Sequence, residues 1–443
     1  MSRVFSFFIK NIKFFPKFVI AYNFVVEFFC IFMYNRYMYV GGMKNMTKVM
    51  AVNAGSSSLK FQLFNMPSEE VITSGIVERI GMDDGIFTIK YNGEKMTKTC
   101  PIPDHQVAVD MLLKALIDEG VVKELSEINA VGHRIVHGGE YFSDSAVVDE
   151  SVVEKVEELC ELAPLHNPAH LIGYRAFKEA LPGVGHVFTF DTAFHQTLDQ
   201  ERYLYPLPLE YYTDLKVRRY GAHGTSHKYV SEQVIEMLGK PKGSRVIVCH
   251  LGNGASISAV LDGKCIDTSM GFTPLAGVMM GTRCGDVDPS IMPYLCKKLN
   301  KTPDEVLEIY NKKSGMLGIS GISSDSRDIE NALFKEGDER ALLTGLLYAR
   351  IVSKYIGAYY AELGGCDAIA FTAGVGENAA YLRRIIIDDV SKAFGVFLDE
   401  ELNAIRSSEN RVISHQYSQI KVMVIPTNEE VMIARDTVRL LGL

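Results

Sequence analysis

Apolar stretches of the chain alternate with short turns rich in glycine, asparagine and serine. In Val246–Val260 the apolar run Val-Ile-Val-Cys enters the turn His-Leu-Gly-Asn-Gly, after which apolar and polar residues alternate. Apolar runs that flank a Gly/Asn turn predict two antiparallel strands joined as a hairpin. Glycines leave the backbone N–H groups of such a turn uncovered, so an anion can approach them. The stretch predicts either an ordinary hairpin or a phosphate-binding one.

A second segment, Val49–Phe64, has the same plan, with Asn-Ala-Gly-Ser-Ser-Ser in its turn. The two turns lie roughly 200 positions apart, which indicates two related halves rather than an array of short repeats. Two facing Gly/Ser hairpins, one from each half, would form a phosphate clamp. Lys60 adds a cation to the first hairpin.

Helical and strand patterns alternate after each hairpin. Asp104 caps a predicted helix over Val107–Ile117, and Asn167-Pro168 opens another that runs to Ala180. The remaining pattern predicts strands at Ala130–Val136, His186–Phe190, Asp367–Phe371 and Ile420–Ile425, a long helix at Glu339–Leu363, and a last helix that begins near Glu429. Hairpins followed by alternating helices and strands, twice over, predict an α/β protein with mixed sheets.

The length and charge of the chain limit the classes of protein to which it can belong. At 443 residues the chain exceeds the size of a single hydrophobic core, so two or more domains are expected. A net charge of −8 without a basic stripe argues against a nucleic-acid partner. The eight cysteines form no C-x-x-C or zinc spacing, which predicts reduced thiols in a cytoplasmic protein.

Residues 1–45 differ from the rest because they are crowded with Phe, Tyr, Ile, Asn and Lys and lack a clean helical period. Phe18–Tyr34 is short for a membrane helix, and no small-residue cleavage site follows it. The codons for Gly41-Gly42 can contain a ribosome-binding purine run just before Met43 and Met46. We expect 1–45 to be an extension from an upstream start, or disordered; the alternative is a membrane or targeting segment.

Two arginines stand in glycine-rich turns: Arg134 in His-Arg-Ile-Val-His-Gly-Gly, and Arg283 in Met-Gly-Thr-Arg-Cys-Gly-Asp. An arginine there can present its planar fork to a carboxylate or phosphate. The alternative is a surface arginine paired with an acid such as Asp286. His223 and His166 also stand in turns, where a histidine serves either a site or only local structure.

Carboxylates at the ends of strands form a second group of candidates. Asp191 ends a strand, where α/β proteins place their chemistry. Glu429 begins a helix after a strand. A carboxylate at this position either binds magnesium or interacts favourably with the helix dipole. The turn Gly374–Asn378 either lets a nucleotide lie against bare backbone or simply joins a strand to a helix.

Several nucleotide and hydrolase motifs are missing from the sequence. It contains no P-loop, no complete G-x-G-x-x-G, no H-R-D or D-F-G, and no G-x-S-x-G. These absences argue against P-loop proteins, Rossmann dehydrogenases, protein kinases and serine hydrolases. A phosphate-handling protein built on paired hairpins remains.

Eight motifs together resemble the acetate kinase family, in that family's order and across Thr47–Leu443. They are VNAGSSSLKF (52–61), GHRIVHGG (132–139), FDTAFHQT (190–197), YGAHGTSH (220–227), HLGNGAS (250–256), MGTRCGDVDP (280–289), FTAGVGEN (371–378) and NEE (428–430). The resemblance implies the fold of the acetate and sugar kinase, heat-shock and actin superfamily. This fold has two duplicated ribonuclease-H-like domains, with mixed sheets flanked by helices and the nucleotide in the cleft between them.

The resemblance also implies domain boundaries and a reaction. Residues 47–191 plus 431–443 would form the first domain and 192–430 the second, while 1–45 has no counterpart. The implied reaction is reversible, direct in-line transfer of a phosphoryl group from the co-substrate ATP to acetate, with magnesium or manganese as the cofactor. The family further implies a homodimer, and no membrane partner is expected.

Site residues follow by similarity. Arg134 and Arg283 would hold the acetate carboxylate and the transferring phosphoryl group, with His223 steadying the transition-state oxygens. Asp191 would be the active-site carboxylate, and His166 would line the same pocket. Asn53 and Glu429 would position the metal. The nucleotide would contact Ser56, Ser58 and Lys60 along the phosphate path, the phosphate cradle His250, Leu251, Gly252, Asn253 and Gly254, and the adenosine-binding residues Asp325, Ser326, Arg327, Gly374, Val375, Gly376, Glu377 and Asn378.

Two positions depart from the family pattern. Ala222 stands where the family more often has phenylalanine, and Ser326 where a bulkier apolar or aromatic residue is common. The sequence leaves propionate and butyrate kinases of the same family as alternatives, because one methylene contributes only ~1–3 kcal/mol of discrimination. A non-catalytic, actin-like nucleotide-binding protein is a further alternative, and a membrane-attached form that uses residues 1–45 is another.

Overall fold

The computed structural model describes residues 46–164 and 166–443. The extension expected at 1–45, and with it the membrane-segment alternative, lies outside the described residues. Lys48–Leu443 contains two β-sheets with helices packed against them. No helix in the described part of the chain is long and apolar enough to cross a membrane.

The first sheet has eight strands in the order β5-β4-β3-β2-β1-β6-β8-β7. Strands β1, β6 and β8 run parallel, whereas β2 to β5 form antiparallel pairs and β7 lies antiparallel to β8. The strands are β1 (Thr47–Ala54), β2 (Ser58–Met66), β3 (Glu70–Glu78), β4 (Met82–Tyr91), β5 (Glu94–Ile102), β6 (Ile128–Ile135), β7 (Ala146–Val147) and β8 (Gly185–Phe190).

The second sheet has six strands in the order β11-β10-β9-β12-β14-β13. Strands β9, β12 and β14 run parallel, and β9, β10 and β11 form an antiparallel meander. The strands are β9 (Arg245–Leu251), β10 (Ala255–Leu261), β11 (Lys264–Thr268), β12 (Ala368–Thr372), β13 (Arg411–Val412) and β14 (Lys421–Val424).

The two sheets repeat one plan. In each, a first strand (β1 or β9) lies between its hairpin partner on one side and two successive parallel strands on the other. Both first strands are buried along most of their length, as expected for strands covered on both faces. The predicted duplication and mixed-sheet fold are confirmed.

Helices connect the strands and cover the sheets. They are α1 (His105–Asp118), α2 (Glu150–Glu158), α3 (Asn167–Ala180), α4 (Gln200–Tyr203), α5 (Glu210–Leu215), α6 (Gly224–Leu238), α7 (Ile291–Leu299), α8 (Pro303–Lys312), α9 (Gly315–Ser320), α10 (Ser326–Asn331), α11 (Glu339–Leu363), α12 (Ala373–Asn378), α13 (Ala380–Phe394), α14 (Glu400–Ala404) and α15 (Glu429–Leu441). A π-helical turn, Ala332–Glu336, follows α10 and leads to α11. Short 3-10 turns lie at Leu125–Glu127 and Ala193–Thr197.

The last helix, α15, packs against the first sheet. A Cβ on Gly132 of β6 would lie only 2.4 Å from Ile433 Cγ2 and 2.3 Å from Thr437 Oγ1, so only glycine allows this approach. The end of the chain therefore packs against the first sheet, as the predicted first domain, 47–191 plus 431–443, requires. Those boundaries, and 192–430 for the other domain, stay a prediction.

Most predicted elements form, with differences at their ends. The stretch Gly81-Met82-Asp83-Asp84-Gly85 has the composition of a turn, but β4 already begins at Met82 with a bulge before Gly85, and Arg79 and Gly81 adopt positive φ. The turn predicted at Gly374–Asn378 closes into the single helical turn α12. The seven cysteines among the described residues are free, as predicted.

Burial makes the stability of this fold sensitive to acid. It lowers the pKa of nine histidines below their ordinary value: His133, His137, His166, His170, His186, His195, His223, His227 and His250. For His137 and His186 the pKa falls to about 4. Below pH ~6.5 the unfolded chain therefore binds protons that the folded chain excludes.

We expect the free energy of unfolding to fall as the pH is lowered from 7.5 through 6.5 towards 4. Each histidine that stays neutral in the fold contributes a loss of up to about 1.4 kcal/mol per pH unit. Urea unfolding at pH 7.5, 6.5 and 5.5 measures this loss. An unfolding free energy that does not change between pH 7.5 and 5.5 would contradict the burial of neutral imidazoles.

Candidate active site

An arginine–aspartate pair lies at the carboxyl edge of the first sheet. Arg134 is near the end of β6 and Asp191 directly follows β8, and these neighbouring strands are parallel. Arg134 Nε donates to both Asp191 carboxylate oxygens at 3.1 Å, and Nη2 donates to Oδ2 at 2.5 Å. Thr225 Oγ1 donates to Asp191 Oδ1 at 3.2 Å. Only 1% of Asp191 is exposed, so this carboxylate orients Arg134 rather than facing a ligand.

The free side of Arg134 faces further charged groups. Burial alone would lower the pKa of its guanidinium, but the carboxylates of Asp191 and Glu429 raise it. Glu429 Oε2 lies 3.9 Å from Arg134 Nε. Within the described chain no side chain or backbone group accepts from Arg134 Nη1, so this N–H group is available to a ligand.

Glu429 starts α15 at the same edge. Burial, together with the charges of Asp191 and Glu430, raises its pKa to about 7, although Arg134 and Lys60 oppose the shift. About a fifth of the Glu429 side chain remains exposed. The structure therefore brings Glu429, Arg134, Asp191 and Lys60 together as predicted, with a local excess of carboxylate that a cation would relieve.

Arg283 has no acidic partner within ion-pair distance among the described residues. Its Nη1 donates to Pro274 O at 3.1 Å. The alternative that Arg283 pairs with Asp286 is wrong, because Asp286 instead accepts from Gly277 N at 2.8 Å and from the Tyr355 hydroxyl at 2.5 Å. Burial lowers the pKa of the Arg283 guanidinium. A half-buried, uncompensated cation of this kind is a site for an anion.

His223 joins Arg283 to the second hairpin turn. Its ring stacks on His250 with centroids 4.2 Å apart, and its Nδ1 lies 2.9 Å from Ser256 Oγ. A Cβ on Gly254 would lie 3.3 Å from His223 Nε2 and 3.8 Å from Arg283 Nη1. Burial and the neighbouring His250 hold the pKa of His223 well below 6.5, so its imidazole is neutral.

His166 and the first hairpin turn carry further predicted site residues. His166 precedes α3, and burial together with the charges of Arg283 and Arg134 lowers its pKa, which places it near both arginines. The side chains of Asn53, Ser56 and Ser58 make no hydrogen bonds within the described residues. Their polar groups are therefore available to a ligand.

A cavity of about 970 Å³ opens between the second hairpin turn, α10 and α12. Eight of the residues predicted to contact the nucleotide line it: Gly252, Asn253, Asp325, Ser326, Arg327, Gly374, Val375 and Asn378. A Cβ on Gly374 would meet no atom within 4 Å, so bare backbone faces the open space. Arg327 is held by Asp325 at the exposed rim.

Other predicted residues near this cavity do not line it. The Leu251 side chain is buried in the core beneath the second sheet. His250 Nδ1 lies 2.8 Å from Ser226 Oγ. Glu377 Oε1 accepts from Ala373 N at 2.9 Å and so caps α12, and Gly376 packs on β9 and β12. These four residues lie behind the residues that line the cavity.

Part of the cavity wall lies outside the predicted site residues. Glu330, Asn331, Phe334 and Lys335 line it from α10 and the π-helical turn, and Arg406 lines it from beyond α14. None stands in a glycine-rich turn or at a strand end. A π-helical turn has no recognisable hydrophobic period, so the sequence offered no signal for it.

The duplicated fold and this site define a kinase: two arginines, a neutral histidine and a glycine turn meet beside a cavity of nucleotide size. The chain belongs to the Acetokinase family, whose sequence profile matches residues 48–435.

Individual relatives agree with this assignment. The chain is similar to the acetate kinase of Geobacillus sp. (strain WCH70), with 58% identity over 396 residues that cover 89% of this chain and 99% of the relative. Its structure is similar to that of Porphyromonas gingivalis acetate kinase (46% identity, TM-score 0.85) and of a Francisella tularensis propionate kinase (42%, TM-score 0.84). Both solved structures cover 89% of this chain and are matched over their whole length.

Proposed function

We propose that the chain transfers the γ-phosphoryl group of ATP to acetate, reversibly, giving acetyl phosphate and ADP. The observation that carries this proposal is the uncompensated Arg283 guanidinium, which lies beside His223 and Gly254, next in the turn to Gly252 and Asn253 of the cavity wall. Phosphoryl transfer is catalysed mainly by positioning and by neutralising charge, which is what this arrangement provides.

The acid and the phosphoryl group would occupy the space between the two arginines. Arg134, oriented by Asp191, offers Nη1 to the acetate carboxylate, and one carboxylate oxygen attacks the γ-phosphorus. As this O–P bond forms, the bond from phosphorus to the ADP oxygen breaks, and ADP leaves with the electron pair. Arg283 and the neutral His223 stabilise the equatorial oxygens, and His166 lines the same pocket.

The phosphate chain and the adenosine would lie along the second hairpin turn and in the cavity. The backbone from His250 to Gly254 cradles the β- and γ-phosphates, with Lys60, Ser56 and Ser58 on the opposite side. The walls formed by Asp325, Ser326 and Arg327 and by Gly374–Asn378 then hold the adenosine.

Asn53 and Glu429 fit a magnesium or manganese ion. Both offer oxygen ligands. Burial, together with the charges of Asp191 and Glu430, raises the pKa of Glu429 to about 7, and a divalent cation would favour its charged form. Magnesium in such sites is usually held by one or two carboxylates, with water and substrate phosphates completing its ligands. When bound, the ion supplies positive charge to the phosphate oxygens.

The proposal is tested by trapping the acyl phosphate with hydroxylamine, using ATP, magnesium and acetate, propionate or butyrate in turn. We expect kcat/KM for acetate to exceed that for propionate by about ten-fold or more, the discrimination available from one methylene. A higher value for propionate or butyrate would assign the chain the activity of a sibling kinase instead. ATP binding without acyl phosphate from any acid would favour the non-catalytic alternative.

A cytoplasmic homodimer is part of the proposal. Three exposed leucines on α11 support an interface with a second copy of the chain: Leu342, Leu343 and Leu346 are 44%, 56% and 45% exposed. Large apolar side chains clustered on one exposed helix face are typical of an interface. Light scattering of the purified chain should give twice the mass of one chain.

A further inference from the structure

Phe334 is an apolar ring in a cavity otherwise lined by polar groups, small residues and short aliphatic side chains. It lies in the π-helical turn Ala332–Glu336, and 64% of its surface is exposed. Among the described residues that line the cavity, it is the one aromatic side chain. Exposing a phenylalanine to this extent costs free energy that burial would recover, and π-helical turns frequently occur at functional sites.

The position of the phosphates determines which part of a nucleotide reaches Phe334. Gly254 lies against His223 and Arg283, so the transferring phosphoryl group belongs at that end. Gly252 and Asn253, which precede it in the turn, already line the cavity. A nucleotide anchored there extends its sugar and base into the cavity, towards the wall that carries Phe334.

The ring of Phe334 is supported from one side. Tyr381 of α13 lies perpendicular to it, with centroids 5.4 Å apart. This edge-to-face contact fixes the ring while leaving most of its surface open. Ser326, on the same cavity wall, offers only a hydroxyl group, so it provides no stacking surface for a base.

We propose that Phe334 stacks against the nucleobase and gives this site a preference for purines over pyrimidines. The inference rests on the proposed nucleotide-binding function of the cavity and adds the residue that recognises the base. Stacking depends on overlapping area, so a two-ring purine gains more from the phenyl face than a one-ring pyrimidine does.

The kinetic test is Phe334→Ala, with Tyr417→Ala as the matched control because Tyr417 is an exposed aromatic (76%) that does not line the cavity. We expect KM for ATP to rise about ten-fold, the typical loss on removing one base-stacking ring. KM for acetate should not change, and the preference for ATP over UTP should shrink. Equal effects on ATP and UTP, or no effect, would overturn the proposal.

A second test measures nucleotide binding in the absence of turnover. The chain has no tryptophan, so Phe334→Trp introduces a single fluorophore at this position. We expect ADP to quench its emission and tripolyphosphate, which has no base, to leave it unchanged; Tyr417→Trp should respond to neither. ADP binding that leaves the emission of the Phe334→Trp variant unchanged would overturn the stacking. If ADP quenches but no acyl phosphate forms, the stacking stands and the proposed reaction fails.

Discussion

Replacing Arg283 with alanine is expected to lower kcat by about 10³-fold, while the dissociation constant of ADP changes by less than about three-fold. The guanidinium has no carboxylate partner in the described chain, and its hydrogen bonds there go only to Pro274 O and Met280 Sδ. Its removal therefore leaves no buried acid unpaired, and the fold should keep its stability. The lower kcat arises in the phosphoryl-transfer step, in which charge shifts across the phosphoryl group.

Three controls separate this role from a structural one. Arg350→Ala removes an exposed arginine that pairs with Asp389, and it should leave kcat unchanged. Arg283→Lys keeps the charge but loses the planar fork, so it should recover only part of the activity. Added guanidinium ion should partly restore Arg283→Ala. Wild-type kcat in Arg283→Ala would remove this residue from the reaction.

Asp191→Ala is expected to lower both activity and stability, because its carboxylate holds Arg134. Removing one partner of a buried ion pair typically costs about 3–5 kcal/mol, since the other charge is left unpaired. A guanidinium displaced by about 1 Å also costs about 10²-fold in kcat/KM for acetate. Thermal unfolding and steady-state kinetics of the same preparation measure the two effects.

The double variant Arg134→Ala/Asp191→Ala shows whether Asp191 acts through Arg134. If it does, kcat/KM for acetate in the double variant should equal that of Arg134→Ala, because the pair works as a unit. The double variant should also be more stable than Asp191→Ala alone, since the guanidinium that has lost its hydrogen-bonded carboxylate is removed as well. Multiplicative losses in kcat/KM would instead give Asp191 a separate role at the substrate.

The sequence predicts the fold well because its two hairpins carry strong signals. The alternation around Gly252–Gly254 and the similar run at Asn53–Ser58 indicate the same strand-turn-strand plan, and the two sheets confirm it. Thr302 and Glu305 have the spacing of a capping box, and both of its hydrogen bonds are present at the start of α8. Local chemistry determines these features, so the sequence alone is sufficient to place them.

The site is predicted only in part, because its details depend on contacts distant in sequence. The sequence leaves open whether Arg283 pairs with Asp286; the tertiary contact of Tyr355 with that carboxylate decides against it. Likewise, Asp191 is recognisable as a strand-end carboxylate, but not as the residue that orients Arg134. Phe334 lies in an aperiodic turn, and its exposure depends on how α10 and α11 pack.

The central claim is that an acetate oxygen forms the new bond to the phosphorus of the γ-phosphoryl group. Incubating the chain with ATP, magnesium and acetate labelled with ¹⁸O in both carboxylate oxygens, and following the reaction by ³¹P NMR, tests this directly. We expect an acetyl phosphate resonance that grows as the γ-phosphate signal declines and that carries the isotope shift of a bridging ¹⁸O. Acetyl phosphate without that shift, or ATP consumed without any acetyl phosphate, would contradict it.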